Sequence, residues 1–131
     1  MRLFLYLTLI SAVANAEQCV SYKNTEITGT LYKDTFAGPP NYESIADGDE
    51  PETYFIVKLV KPVCVDGGAG ADELEENFTD IKNIQLVLNG ESTYDSLRTS
   101  LGKPVKCTGN LFSAHTGHHH TEVLLSEVKC K

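Results

Sequence analysis

The sequence predicts an all-β fold with one short helix, and three observations carry that prediction. Five segments alternate apolar with polar residues and are rich in β-branched and aromatic types, the pattern of half-buried strands. One segment, beginning at Ser92 or Thr93, spaces its apolar residues as a helix does. It falls between the third and fourth strands, so the order is β-β-β-α-β-β, that of a small five-stranded OB-like barrel. A generic five-stranded roll is the alternative built from the same elements.

The chain opens with Met1 and Arg2, an apolar run from Leu3 to Val13, and the triplet Ala14-Asn15-Ala16. That succession of charge, apolar core and small residues is the pattern of a secretory signal, with cleavage expected after Ala16. The run is too short to span a bilayer, and Cys19 follows Glu17 and Gln18 rather than small residues, so lipidation is not expected. An uncleaved membrane anchor is the competing reading. Residues 1–16 are therefore read as signal peptide and 17–131 as one OB-like β domain, with no transmembrane segment expected in the mature chain. Its 115 residues can bury a modest core.

The first strand runs from Ile27 to Phe36, with Gly29 at a bend or bulge. A long loop, Ala37 to Pro51, begins Gly38-Pro39-Pro40-Asn41-Tyr42 and ends Asp47-Gly48-Asp49-Glu50-Pro51. The second strand, Thr53 to Val65, is the strongest, and Pro62 within it marks an edge or an irregularity. Asp66 to Asp80 reads as an acidic, Gly-rich excursion with a helical turn around Leu74. Asn77-Phe78-Thr79 within it matches a glycosylation acceptor, which matters only in a eukaryotic secretory pathway. The third strand is Ile81 to Leu88. Ser92 or Thr93 is expected to cap the helix, with Tyr94, Leu97 and Leu101 on one side and Gly102 at its C-terminal cap. Val105 to Ala114 and Glu122 to Cys130 are the last two strands. Gly29 and Gly109 stand mid-strand in the first and fourth strands, where a small barrel must bend.

With Arg2 lost in the signal, 10 basic residues face 18 acidic ones, a net charge of about −8. Such a body repels phosphate backbones, which argues against nucleic acid and favours a cationic partner or a metal ion. All four cysteines lie in the mature part without a Cys-x-x-Cys pair, the expectation being two disulfides formed in an oxidising compartment. Antiparallel pairing of the first two strands brings Cys19 near Cys64, and the last hairpin sets Cys107 opposite Cys130. The other pairing considered is Cys19 with Cys130 and Cys64 with Cys107.

All four histidines, His115, His118, His119 and His120, fall within six residues, and neutral imidazole is a common ligand for zinc, copper and nickel. On an extended hairpin His118 and His120 project to one side and His115 approaches from the other strand, a candidate metal set. The alternative is a solvated polar turn with Gly117 at the positive φ it needs. In an OB-fold the loop between strands one and two and the loop between strands four and five flank the usual binding face. Asn41, Tyr42, Glu43 and Asp49 of the first loop are thus candidate ligand contacts, with Asp47 a further carboxylate, beside the histidine turn. Against this, Tyr42 packing over the barrel end and acids that are merely solvated would give the same sequence.

The stretches Gly38-Pro39-Pro40-Asn41-Tyr42-Glu43-Ser44, Asp49-Glu50-Pro51-Glu52-Thr53-Tyr54 and Ala114-His115-Thr116-Gly117-His118-His119-His120-Thr121 resemble those of a bacterial family, domain-of-unknown-function family 4431. The resemblance covers most of the mature chain. It implies a usually exported, β-rich module and assigns no catalytic residue.

Three classes of function follow. The first is a binding module in the bacterial periplasm or outside the cell, taking a protein, a glycan or a metal ion. One form of it is an inhibitor or immunity-type protein whose acidic surface plugs a cationic enzyme cleft. The second is metal handling by the histidine turn. The third is an enzyme, such as a zinc hydrolase with Glu43 or Asp47 as base. The chain has no H-E-x-x-H and no Ser or Cys nucleophile beside a base, so no catalytic residue is assigned. Single-strand nucleic-acid binding would rest on fold analogy alone.

Overall fold

The computed structural model describes residues 3–4, 6–10, 19–68 and 75–131. The expected cleavage triplet Ala14-Asn15-Ala16 and the helical turn around Leu74 lie outside the described residues. Six strands are present: β1 (Cys19–Ser21), β2 (Thr25–Ala37), β3 (Pro51–Asp66), β4 (Phe78–Leu86), β5 (Pro104–Ser113) and β6 (Val123–Cys130). Helix α1 (Glu91–Arg98) sits between β4 and β5.

Five of the strands close a ring. β2 runs antiparallel to β3 and β5, β5 to β6, and β3 to β4, while β4 and β6 lie parallel and complete the barrel. This is the expected five-stranded OB-like barrel in the expected order. β1 is an addition outside the ring, parallel to the far end of β3 with Cys19 opposite Cys64. Alternate residues of β2, Ile27 and Leu31 among them, turn into the barrel and meet Val57, Ile84, Leu86, Val105 and Leu125.

Two glycines fit the strands together. A Cβ on Gly29 would lie 2.1 Å from the Lys58 carbonyl oxygen, and one on Gly109 would lie 2.2 Å from that of Ser126. Only a residue without a side chain lets these strands approach so closely. Gly109 also marks a register shift between β5 and β6, and Pro62 falls within a second shift, where β3 loses regular pairing with β4. Disulfides join Cys19 to Cys64 and Cys107 to Cys130. The preferred pairing holds, although Cys19 reaches Cys64 on its own short strand.

Local details differ from the sequence reading. The helix is capped by Gly90 at φ 83°, with no side-chain cap from Ser92 or Thr93. β4 begins at Phe78, three residues before the expected Ile81. Leu3, Phe4, Tyr6, Leu7, Leu9 and Ile10 are all exposed, so none of them belongs to the barrel core. No helix among the described residues is long and apolar enough to cross a membrane.

A second buried layer lies outside the barrel. Gln85 pairs with Ile56 of β3 on one side and Leu124 of β6 on the other. These three alternate with the inward Val57, Ile84 and Leu125, so they face outward, yet they are only 1%, 2% and 0% exposed. The segment joining β5 to β6, which contains the histidines, folds back over this row and covers it.

Candidate functional site

The histidine segment is held on the barrel by Gln85. Its side-chain N–H donates to the His118 carbonyl at 3.0 Å, its side-chain oxygen accepts the His120 N–H at 2.8 Å, and its own backbone N–H donates to Thr121 Oγ1 at 3.0 Å. A buried amide with both ends used is a firm fixture, because losing either bond strands a polar group. The rings then pack as aromatic residues. His120 stacks on Phe36 with centroids 3.8 Å apart and planes within 2°, and it leans on Tyr54 at 5.5 Å. His115 and His119 pack against Phe112 at 5.8 and 5.3 Å.

Hydrogen bonds assign the protons on three rings. A carboxylate only accepts, so His118 Nδ1–H donates to Glu52 Oε2 at 2.8 Å, and Nε2 is hydrogen-bonded to the Tyr42 hydroxyl at 3.3 Å. His119 Nδ1 accepts the N–H groups of His115 at 3.0 Å and Thr116 at 3.2 Å, which places its proton on Nε2. His115 Nδ1–H donates to the Ser113 carbonyl at 3.0 Å. His120 Nε2 is buried without a partner. Burial, foremost, holds the pKa of both His119 and His120 below the usual imidazole value, so both favour the neutral form.

The first loop meets the histidine segment through Tyr42. Its ring stands edge-on to His118, centroids 5.4 Å apart, and lies over Gly117, where a Cβ would come within 3.1 Å of the Tyr42 ring. The solvated-turn alternative put Gly117 at a positive φ, a region it does not occupy. Space for Tyr42 is what the position requires. Tyr54 donates its hydroxyl to Glu52 Oε2, the carboxylate that also holds His118. Hydrogen bonds from Tyr54, first, and from His118 keep the Glu52 carboxyl below the ordinary carboxylate range. Burial and the neighbouring Glu52 push the Tyr54 phenol up, so it remains a donor.

The other expected contacts fall into different roles. Asp49 is buried, and its carboxylate accepts the backbone N–H groups of Asn41 at 3.0 Å, Glu43 at 2.8 Å and Ser44 at 3.0 Å. Those bonds, Ser44 and Glu43 foremost, lower its pKa and turn it inward as the organiser of its own loop. Asn41, Glu43 and Asp47 are exposed on that loop, and Asp47 donates its N–H to Ser44 Oγ at 3.3 Å. Pro39-Pro40 in the same loop is a cis peptide. Among the described residues no three His, Cys, Asp or Glu side chains are grouped as a metal ion would require.

Beside this junction lies a cleft of about 340 Å³. Tyr54 and Phe55 of β3, Leu86 and Leu88 at and beyond the end of β4, Tyr94 of α1 and His118 line it. Tyr94 stacks on Phe55 at 5.1 Å, extending the barrel core outward into an aromatic floor. The residues that sequence reasoning missed are Phe36, Glu52, Tyr54 and Gln85, all on strand positions that face outward. Their one available signal was type, since aromatic and amide residues recur there where simple solvation would not require them.

The family model of a domain of unknown function, DUF4431, matches residues 83–129. The matched span holds the histidine segment and Gln85, and it excludes the Gly38–Ser44 and Asp49–Tyr54 stretches, so it is narrower than the resemblance drawn from sequence. No curated protein and no solved structure matches the chain.

Proposed function

We propose that this protein is an exported binding module that offers the joined Gly38–Tyr42 loop and His115–His120 turn to its ligand. The observation that best supports this reading is the chain of contacts Tyr42–His118–Glu52–Tyr54, which fixes the two loops together at the edge of the cleft. Loops fixed before binding lose little conformational entropy when the ligand arrives. An apolar floor with a few convergent polar groups is also how ligand sites are generally built. The address rests on the leader sequence and on two disulfides, which persist in oxidising compartments such as the periplasm or cell exterior.

Two measurements test it. Intact mass of the protein recovered from the periplasm or medium is expected to begin at Glu17, and a cytoplasmic chain that keeps Met1 would refute export. Titrating the ¹⁵N-labelled exported protein with soluble peptidoglycan fragments and short peptides is expected to move the amides of Tyr42, Tyr54, Tyr94 and His118. A ligand that binds while those amides stay still refutes this choice of surface.

A further inference from the structure

We propose that the occupant of the cleft is an extended, basic peptide segment that adds as a strand to the open edge of β3 at Thr53–Phe55. The inference rests on the binding-module reading and specifies its ligand. β3 and β4 pair at Lys58↔Asn83, Val57↔Ile84 and Ile56↔Gln85, and beyond Ile56 they diverge. From there β3 continues to Pro51 with β2 along one side, through Lys33↔Phe55 to Ala37↔Pro51. The chain after Gln85 instead follows β6, through Leu86↔Leu125 and the Val87 N–H bond to the Leu125 carbonyl. Among the described residues no strand pairs with the other side of Thr53–Phe55.

An open strand edge turns backbone donors and acceptors outward at alternate residues, a template for an added strand. Here the edge is not on bare surface. It borders the cleft, so an arriving strand would set an apolar side chain on Phe55, Leu88 and Tyr94 while its backbone pairs with β3. Three strand residues span about 10 Å, which suits a short alternating segment.

Charge selects among peptides. From Lys33, the partner of Phe55 on β2, to Lys58 the chain carries six acids against two Lys, and from Cys107 to Val128 it carries two acids and no Lys or Arg, so both stretches are net acidic. Those stretches supply β3's open end, the first loop and the histidine segment, so Lys or Arg on the arriving strand meets a field of opposite sign. An acidic segment is repelled.

The probe is the peptide acetyl-Lys-Phe-Lys-Val-Lys-amide, titrated into the ¹⁵N-labelled exported protein. Its controls are the same peptide with Glu for every Lys, and a version N-methylated at alternate backbone nitrogens. The basic peptide is expected to shift the amides of Thr53–Phe55 and slow their hydrogen exchange. N-methylation should weaken it roughly tenfold, the loss of one or two backbone hydrogen bonds, and the acidic version should bind at least as weakly. Equal affinity of the N-methylated peptide, or shifts confined to another face, overturns strand addition. A peptidoglycan fragment that moves Tyr54 and His118 while the basic peptide does not would overturn this inference and leave the binding-module reading standing. Failure of both probes counts against both.

Discussion

Replacing Gln85 with Leu tests whether one buried amide holds the histidine segment in place. Leu nearly matches Gln in volume, so the change opens little cavity and its cost is that of the lost hydrogen bonds. Both side-chain bonds disappear, leaving the His118 carbonyl and the His120 N–H without their partner. A stranded buried polar group costs about 1–3 kcal/mol. Both bonds are partly buried, but His118 is exposed and His120 only half so, and the His118 carbonyl regains water more readily than the His120 N–H. Together the two set the expected loss at about 2–4 kcal/mol. For a domain of this size that lowers Tm by roughly 8–16 °C. Thermal unfolding followed by circular dichroism gives the global figure. Hydrogen exchange at His118–Thr121 separates release of the segment from loss of the barrel, because release speeds exchange there and spares β2 and β5. If Gln85→Leu melts within about 2 °C of wild type and the His120 amide stays protected, the amide does not anchor the segment.

His120→Phe keeps the stack on Phe36 and removes the partnerless Nε2, so it is expected to raise Tm by a few degrees. The His120 pKa is depressed on folding, chiefly by burial, so below about 6.5 the unfolded chain takes up protons first. Its contribution is therefore present above about 6.5, falls as pH drops to the folded pKa, and is level below it. The Tm of His120→Phe should accordingly fall less between pH 7 and 5 than that of wild type, and an equal slope would disprove the assignment. Gly117→Ala brings a methyl within 3.1 Å of Tyr42, so it should displace that ring with less than about 1 kcal/mol of destabilisation and weaken ligand binding. An unchanged Tyr42 ring signal would show that the loops are not coupled there. Removing the Cys107–Cys130 bridge, with 23 residues of separation, should cost about 3.5 kcal/mol by chain entropy. The Cys19–Cys64 bridge, with 45, should cost about 4 kcal/mol. Urea unfolding of the two double Ala variants measures both, and a reversed ranking by more than about 1 kcal/mol would contradict the loop-entropy account.

The barrel was legible because its strands carry their instructions locally. Alternation in Ile27–Leu31, the dense run Tyr54–Val60 and the bends at Gly29 and Gly109 each declare themselves within a few residues. Cys19–Ser21 escaped notice because three residues hold no period and its partner is a parallel strand far along the chain. The helix start was misassigned for a related reason, since Ser92 and Thr93 have the right chemistry while Gly90 has the backbone angle. The candidate site was legible only in outline. Tyr42 and the histidines stood out by type, and fold analogy placed their loops together. Glu52, Tyr54 and Gln85 did not stand out, because an outward residue on a strand looks solvated until another segment is known to cover it. Asp49 shows the reverse error: an acid in a loop reads as a ligand contact, and three amides of its own loop occupy it instead.

Four histidines in six residues suggest metal chemistry because residue type is visible in a sequence and hydrogen bonding is not. Several of their ring nitrogens are engaged in hydrogen bonds that hold the segment in place. His119 Nδ1 is filled by two amides and its Nε2 carries the proton, so that ring offers no free lone pair. His118 hydrogen-bonds through Nδ1 to Glu52 and through Nε2 to the Tyr42 hydroxyl. His115 spends its Nδ1 proton on Ser113, and His120 lies flat on Phe36. A segment folded over an outer barrel face needs flat apolar surfaces against Phe36 and Phe112, together with polar edges that satisfy backbone groups no strand reaches. Phenylalanine supplies the first and asparagine the second, and imidazole supplies both. The clustering fits what the segment must cover, and the result is a fixed surface joined to Tyr42.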